Sequence, residues 1–265
     1  MRNVCIRVAY DGSRFFGWQR QEGFESVQEA LEDALQSLTG DRVTVHGSGR
    51  TDTGVHALRQ VANFHVDTHL DDERLLFALN AHLVEGVVVD ALATCADSFH
   101  AQKSACGKRY LYLVANTRFR PALGQDFCHW IPGRLDLEAM RAGARHLVGE
   151  HDFTSFASAG SPRRSNVRRV GPLRVWRRGE RIALLVQGSG FLYSMVRTIA
   201  GTLCEVGKGR WAPERVREVL EARDRSLAGP TAPAAGLTLL RVLYPPGTCP
   251  RLVSGPREAP GRRTP

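Results

Sequence analysis

The polar, glycine-rich segment from Gly47 to His56 holds the residues best suited to chemistry. It reads Gly-Ser-Gly-Arg-Thr-Asp-Thr-Gly-Val-His and directly follows a predicted strand. A single ionised aspartate, Asp52, held at a strand end between small residues could act on its own as a nucleophile or a base. A phosphate-binding loop is a weaker interpretation, because Asp52 stands where G-x-G-x-x-G needs its third glycine and would repel a phosphate.

Two other interpretations of this segment stay open at this point. Asp52-Thr53-Gly54 has the sequence of an aspartic protease motif. Such sites need two carboxylates that share a proton, so a protease with this one motif would have to be a homodimer. Arg50 would favour full ionisation of the aspartate and oppose proton sharing. A turn in which Asp52 has only a structural role is the remaining alternative.

Arg197 and Tyr110 could take part in the same chemistry. Arg197 lies in an apolar segment with no acidic residue at its i±3 or i±4 positions. It therefore either extends to water or pairs with a carboxylate from elsewhere, for which Asp52 is a candidate. Tyr110 shares a strand face with Tyr112, an alternation that is ordinary for a half-buried strand. A tyrosine in basic surroundings can equally stack on a nucleobase.

The elements that must position these residues follow an α+β pattern. Apolar periodicity and turn residues predict strands over residues 4–10, 43–46, 61–66, 87–93, 108–114, 170–176, 181–187 and 237–244. Capping residues and helical spacing predict helices over 26–40, 71–83, after Asp136, over 191–206 and over 213–223. The pattern indicates two βαββαβ-like halves, residues 1–102 and 103–245, whose strands form a central, mainly antiparallel sheet with helices on one face. Residues 246–265, rich in proline, arginine and glycine, are predicted to be a disordered tail.

The charge of the chain favours a polyanionic partner. The formal net charge is +9 and the isoelectric point about 9.7, a balance suited to phosphate neutralisation. Between Arg163 and Arg181 eight arginines stand against one acidic residue, Glu180. This basic segment is either a solvated strand pair or a surface for nucleic acid.

Several other classes of protein are disfavoured by the sequence. The six cysteines contain no C-x-x-C pair and the nine histidines form no zinc motif, so neither a metal nor thiol redox chemistry is expected. The apolar start is interrupted at once by charged residues, and no run reaches the ~18 apolar residues of a membrane helix. We therefore expect a cytoplasmic protein.

The segment around Asp52 resembles the catalytic motif of the bacterial tRNA pseudouridine synthase family often called TruA. The matching residues are Gly49-Arg50-Thr51-Asp52-x-Gly54-Val55-His56-Ala57. Further segments are similar to that family in order and spacing: Tyr10-Asp11-Gly12-Ser13, Gly17-Trp18-Gln19-Arg20-Gln21, Phe99-His100-Ala101, Lys108-Arg109-Tyr110-x-Tyr112, Asp152-Phe153-Thr154-Ser155-Phe156 and Phe191-Leu192-x-x-Met195-Val196-Arg197. The resemblance covers about residues 3–245.

This resemblance implies an enzyme that isomerises uridines 38, 39 and 40 in the anticodon arm of tRNA, without cofactor or metal, as a homodimer. Asp52 would be the catalytic carboxylate and Arg197 its partner. Tyr110 would stack on the target uracil, and Arg50 would help hold the nucleotide out of its helix. The rival interpretation is a catalytically inactive RNA-binding protein of the same fold.

Two residues depart from the family pattern. Gln102 follows Phe-His-Ala where the family usually has arginine, and Ser189 replaces a common asparagine. These departures concern individual RNA contacts rather than the assignment of Asp52.

Overall fold

The computed structural model describes residues 1–158 and 165–254. Its strands form one sheet of eleven members in these two ranges. The strands are β1 (Arg2–Tyr10), β2 (His46–Gly47), β3 (His56–Val66), β4 (Val87–Thr94), β5 (Gly107–Ala115), β6 (His129–Trp130), β7 (Gly149–Asp152), β8 (Val167–Arg178), β9 (Arg181–Gly188), β10 (Leu237–Leu243) and β11 (Val253–Ser254).

The sheet is mainly antiparallel and runs without a break through both halves of the chain. Its order is β11-β4-β1-β3-β10-β5-β9-β8-β7, with β2 beside β3 and β6 beside β5. Among the described strands only β10–β3 and β5–β6 pair in parallel. The last long strand, β10, therefore lies at the centre and joins β3 to β5, which carries Tyr110.

Five α-helices accompany this sheet in the part of the chain that the structure describes, and they confirm the α+β class. They are α1 (Val27–Thr39), α2 (Asp72–His82), α3 (Leu137–Arg145), α4 (Met195–Gly207) and α5 (Arg215–Ala222). Helix α2 contacts β4 and α1, whereas α3 contacts β8 and α4. Within the two described ranges no helix combines the length and apolar character that crossing a membrane requires.

Local sequence signals locate most element ends well. The Ser26 hydroxyl accepts a hydrogen bond from the Glu29 N–H, and Gly40 ends α1 with a φ of +82°, as capping rules predict.

The strand predicted over 43–46 is wrong, because pairing with β3 begins only at His46. The strand predicted from Val61 begins instead at His56, since partner strands satisfy the backbone of its polar start.

Helix α4 also begins later than predicted. Ser194 has a φ of +57°, in the left-handed region, and the first helical residue is Met195. The apolar residues before it belong to a turn rather than to the helix. Periodicity cannot separate such a turn from the first turn of a helix, because both are apolar.

Part of the predicted tail, residues 246–265, is ordered instead. Val253 and Ser254 pair with β4, because the edge of this strand offers them backbone partners. Disorder from residue 255 onward stays a prediction that falls outside the described residues, as do Arg163 and Arg164 of the basic segment.

Candidate active site

Asp52 lies in the loop that joins β2 to β3, and the loop before α1 packs against it. The backbone N–H of Trp18 donates a hydrogen bond to the Thr51 carbonyl at 3.1 Å. Gly17 has a φ of +85°, and a Cβ atom there would lie 2.7 Å from the Thr51 oxygen. Only glycine combines this backbone conformation with so close an approach. The loop before α1 is therefore in direct contact with the residue that precedes Asp52.

The inner side of the Asp52 loop is held by buried polar groups. The hydroxyl groups of Tyr10 and Thr51 are 2.8 Å apart. The Gln60 amide accepts a hydrogen bond from the Ser48 hydroxyl at 2.6 Å and donates one to the Gly49 carbonyl at 2.9 Å. Because buried polar groups are costly to leave unpaired, these contacts stabilise one loop conformation.

The structure brings Asp52 and Arg197 together across the fold. Arg197 Nη1 donates to Asp52 Oδ2 at 3.0 Å, and the two side chains are 18% and 21% exposed. Arg197 Nε donates to the Ala232 carbonyl at 2.8 Å, so two contacts orient the guanidinium. The Ser194 hydroxyl lies 3.5 Å from Asp52 Oδ2. Both of these contacts to the carboxylate use Oδ2.

Tyr110 forms another wall of the same site. Its ring is buried and meets Phe191 edge-on, with the ring centroids 5.3 Å apart. Burial raises the pKa of the Tyr110 phenol above its ordinary value, and nearby Tyr10 and Asp52 add to this effect. The hydroxyl group therefore stays protonated throughout the neutral range.

A cavity of about 1050 Å³ connects these groups. Asp52, Tyr110 and the exposed Arg50 all line it. Arg197 does not line the cavity and is connected to it through its contact with the Asp52 carboxylate. A cavity of this volume can accommodate a nucleotide-sized group.

Several residues of the site were not identified as functional from the sequence. Ser194 contacts Asp52, Ala232 orients Arg197, and Thr51 binds Tyr10. Tyr10 and Trp18 stood in segments similar to the family, but no role followed from that similarity. Ser194 stands at a variable position of its family-like segment. The role of Ala232 depends on its backbone carbonyl, which the local sequence does not distinguish from any other.

Similarity to known proteins identifies the family of this chain. A family model described as tRNA pseudouridine synthase matches residues 6–102 and 144–245. The chain belongs to the tRNA pseudouridine synthase family. It is thus a member of a family of isomerases, whose reaction is the conversion of uridine to pseudouridine in tRNA.

Similar proteins cover nearly the whole chain. A tRNA pseudouridine synthase A of Thermoanaerobacter pseudethanolicus is 43% identical over 244 residues, which are 92% of this chain and 100% of the relative. The protein of the same name from Paramagnetospirillum magneticum is 44% identical over 245 residues, covering 92% of this chain and 96% of the relative. A chain in the crystal structure of a Cbf5-Nop10-Gar1 complex matches with a TM-score of 0.38 and 13% identity over 91% of this chain and 58% of that chain. The family assignment does not depend on that weaker likeness.

Proposed function

We propose that this chain isomerises uridine to pseudouridine at positions 38, 39 and 40 in the anticodon stem-loop of tRNA, with Asp52 as the catalytic residue and no cofactor. The observation that carries the proposal is that Asp52, which lines a cavity together with Tyr110, is paired with Arg197 at 3.0 Å. A carboxylate oriented by an anchored guanidinium is ready to react without rearrangement.

The reaction needs few protein groups. It breaks the bond between ribose C1′ and uracil N1, turns the base over and forms a bond from C1′ to C5. C5 then loses its proton and N1 gains one, so that the product is an isomer of the substrate. No electron is gained or lost overall. The reaction therefore requires only a positioned carboxylate and a pocket that holds the detached uracil.

Tyr110 and Arg50 would act on the extruded nucleotide. The ring of Tyr110, at the cavity wall, offers a stacking surface for the uracil. Because its hydroxyl is neutral, it could assist proton removal at C5 only as a relay, accepting that proton while it passes its own to solvent. Arg50, exposed at the cavity wall, would hold the nucleotide outside its helix. Extrusion of a base costs a few kcal/mol, which phosphate contacts by basic residues offset.

Replacement of the carboxylate tests this assignment. Asp52→Asn keeps the size of the side chain, and we expect it to abolish turnover while tRNA affinity stays within about threefold of the unaltered protein. Turnover is measured as tritium released from C5 of uridine-labelled tRNA. A normal rate in Asp52→Asn would exclude Asp52 as the catalytic residue. If the unaltered protein bound tRNA but released no tritium, the inactive RNA-binding alternative would be supported instead.

We also propose that the chain works as a homodimer in the cytoplasm and holds tRNA across both subunits. The loop after β5 exposes large apolar side chains, with Phe119 74% and Leu123 86% exposed. Exposed apolar groups of this size are typical of surfaces that bind another protein. Sedimentation velocity should give the mass of two chains, and a single-chain mass at micromolar concentration would contradict the proposal.

A further inference from the structure

Two aromatic rings are exposed at the edge of the cavity. Phe16 and Phe24 are 48% and 47% exposed, and their ring centroids are 4.6 Å apart. Phe16 lines the same cavity as Asp52. We call Phe16 and Phe24 together the aromatic platform.

The aromatic platform is fixed relative to the Asp52 loop. The Phe16 N–H donates a hydrogen bond to the Glu25 carbonyl at 2.8 Å, which folds the loop back on itself. The next two residues are Gly17 and Trp18, whose backbone atoms contact Thr51. A ligand held by Phe16 is therefore held at a fixed distance from Asp52, which is what positioning for catalysis requires.

The charges around the platform favour the face of a base over a phosphate. Glu22 and Glu25, both exposed, belong to the same short loop as Phe24, and their carboxylates would repel a phosphate. Basic side chains line the cavity nearby instead, with Arg20 and Arg50 among them. A strand of RNA could place its phosphates along the arginines and one base on the rings.

We propose that the aromatic platform is a stacking site for one unpaired nucleobase of the RNA, next to the uridine that enters the cavity. The inference rests on the proposed function. Extruding the target uridine removes a stacking partner from its neighbour, and an aromatic ring can replace that partner for any base. Phe16 and Phe24 would thus be positioning residues that contact substrate but take no part in the bond changes.

Substitution of the rings gives the first test. We expect Phe16→Leu and Phe24→Leu each to raise KM for a tRNA stem-loop about tenfold, because aromatic stacking is lost. We expect kcat to stay within about twofold, since the stacking is equal in the ground and transition states. Phe16→Tyr keeps an aromatic face and should restore the normal KM. Phe77→Leu is the matched control, since Phe77 is 53% exposed on α2 and does not line the cavity.

Substitution of the RNA gives a second test that does not alter the protein. Abasic nucleotides are placed in turn at each unpaired position of the loop, and the dissociation constant is measured by fluorescence anisotropy. One position should weaken binding of the unaltered protein about tenfold and cause no further loss in Phe16→Leu, because the same contact is already absent. The stacking site would be overturned if the abasic and Phe16→Leu losses of affinity were additive at every position. It would also be overturned if the KM values of the leucine variants equalled that of Phe77→Leu. Failure of the proposed function would show differently, as absence of tritium release from the unaltered protein with binding intact.

Discussion

At the scale of single residues, the site depends on how Arg197 is held. Its Nε atom binds the Ala232 carbonyl and its Nη1 atom binds Asp52. A guanidinium can make both contacts at once because its donors lie in one plane with fixed spacing. A lysine ammonium has a single nitrogen and cannot occupy both positions.

Arg197→Lys should therefore lower the rate of pseudouridine formation about a hundredfold although the positive charge is kept. The measurement is single-turnover tritium release at saturating enzyme, which separates chemistry from binding. Arg215→Lys, in an exposed pair with Glu218, is the matched control and should leave the rate unchanged. A normal rate in Arg197→Lys would mean that charge alone, without orientation, is sufficient.

At the scale of elements, helix α4 connects the site to the core. Every residue of α4 apart from Arg197 is buried. A Cβ atom on Gly201 would lie 1.8 Å from the Pro230 carbonyl oxygen, so glycine lets the following segment lie directly on the helix and brings Ala232 to Arg197. The contact with Ser194 also places Asp52 at the N-terminal end of α4, where the helix dipole stabilises negative charge.

The opposite end of α4 is held by Glu205. Its two oxygen atoms accept hydrogen bonds from Lys208 Nζ at 2.7 Å and Arg210 Nη1 at 2.8 Å. Burial by itself would raise the pKa of this carboxyl, but the two cations outweigh it and the pKa lies below its ordinary value. A carboxylate with a lowered folded-state pKa stabilises the fold above its ordinary pKa, and that stabilisation is lost as pH falls through the folded-state value.

Glu205→Gln should accordingly lower the free energy of unfolding by about 1 kcal/mol at neutral pH. The difference from the unaltered protein should shrink once pH falls below the ordinary value of 4.5. Urea unfolding followed by circular dichroism at a series of pH values measures this. Glu218→Gln, in an exposed pair, should change stability by less than about 0.5 kcal/mol. A loss in Glu205→Gln that is independent of pH would contradict the electrostatic explanation.

At the scale of the whole molecule, positive charge is concentrated on the hairpin of β8 and β9. Arg169, Arg174, Arg177, Arg178 and Arg181 are exposed there. Arginines that neutralise phosphates release counterions from RNA, and affinity then falls steeply with added salt. The net charge of +9 acts in the same direction.

Arg174→Gln and Arg178→Gln should each reduce the slope of log K against log salt by about 0.7 to 0.9, the value for one phosphate contact. The slope is measured by titrating labelled tRNA at several potassium chloride concentrations. Arg74→Gln on α2, whose side chain is 78% exposed, serves as the control and should leave the slope unchanged. A flat salt dependence in the unaltered protein would exclude a phosphate-dominated surface.

The local sequence determined much of this architecture, because its signals act over a few residues. The Ser26 cap, the Gly40 stop and the alternation around Tyr110 and Tyr112 identified α1 and β5 nearly to their ends. The motif around Asp52 identified the catalytic candidate in the same way, since its residues are consecutive.

Tertiary structure alone decided how these parts meet. Asp52 and Arg197 are 145 positions apart, and from the residues alone Arg197 could as well have extended to water. The contact of Ser194 with Asp52 and that of Ala232 with Arg197 depend on a left-handed turn and on a backbone approach that no periodicity encodes. Short strands such as β2 form only because β3 offers them a partner. Local preference fixes helices and long strands, whereas the positions of facing groups follow from packing of the complete chain.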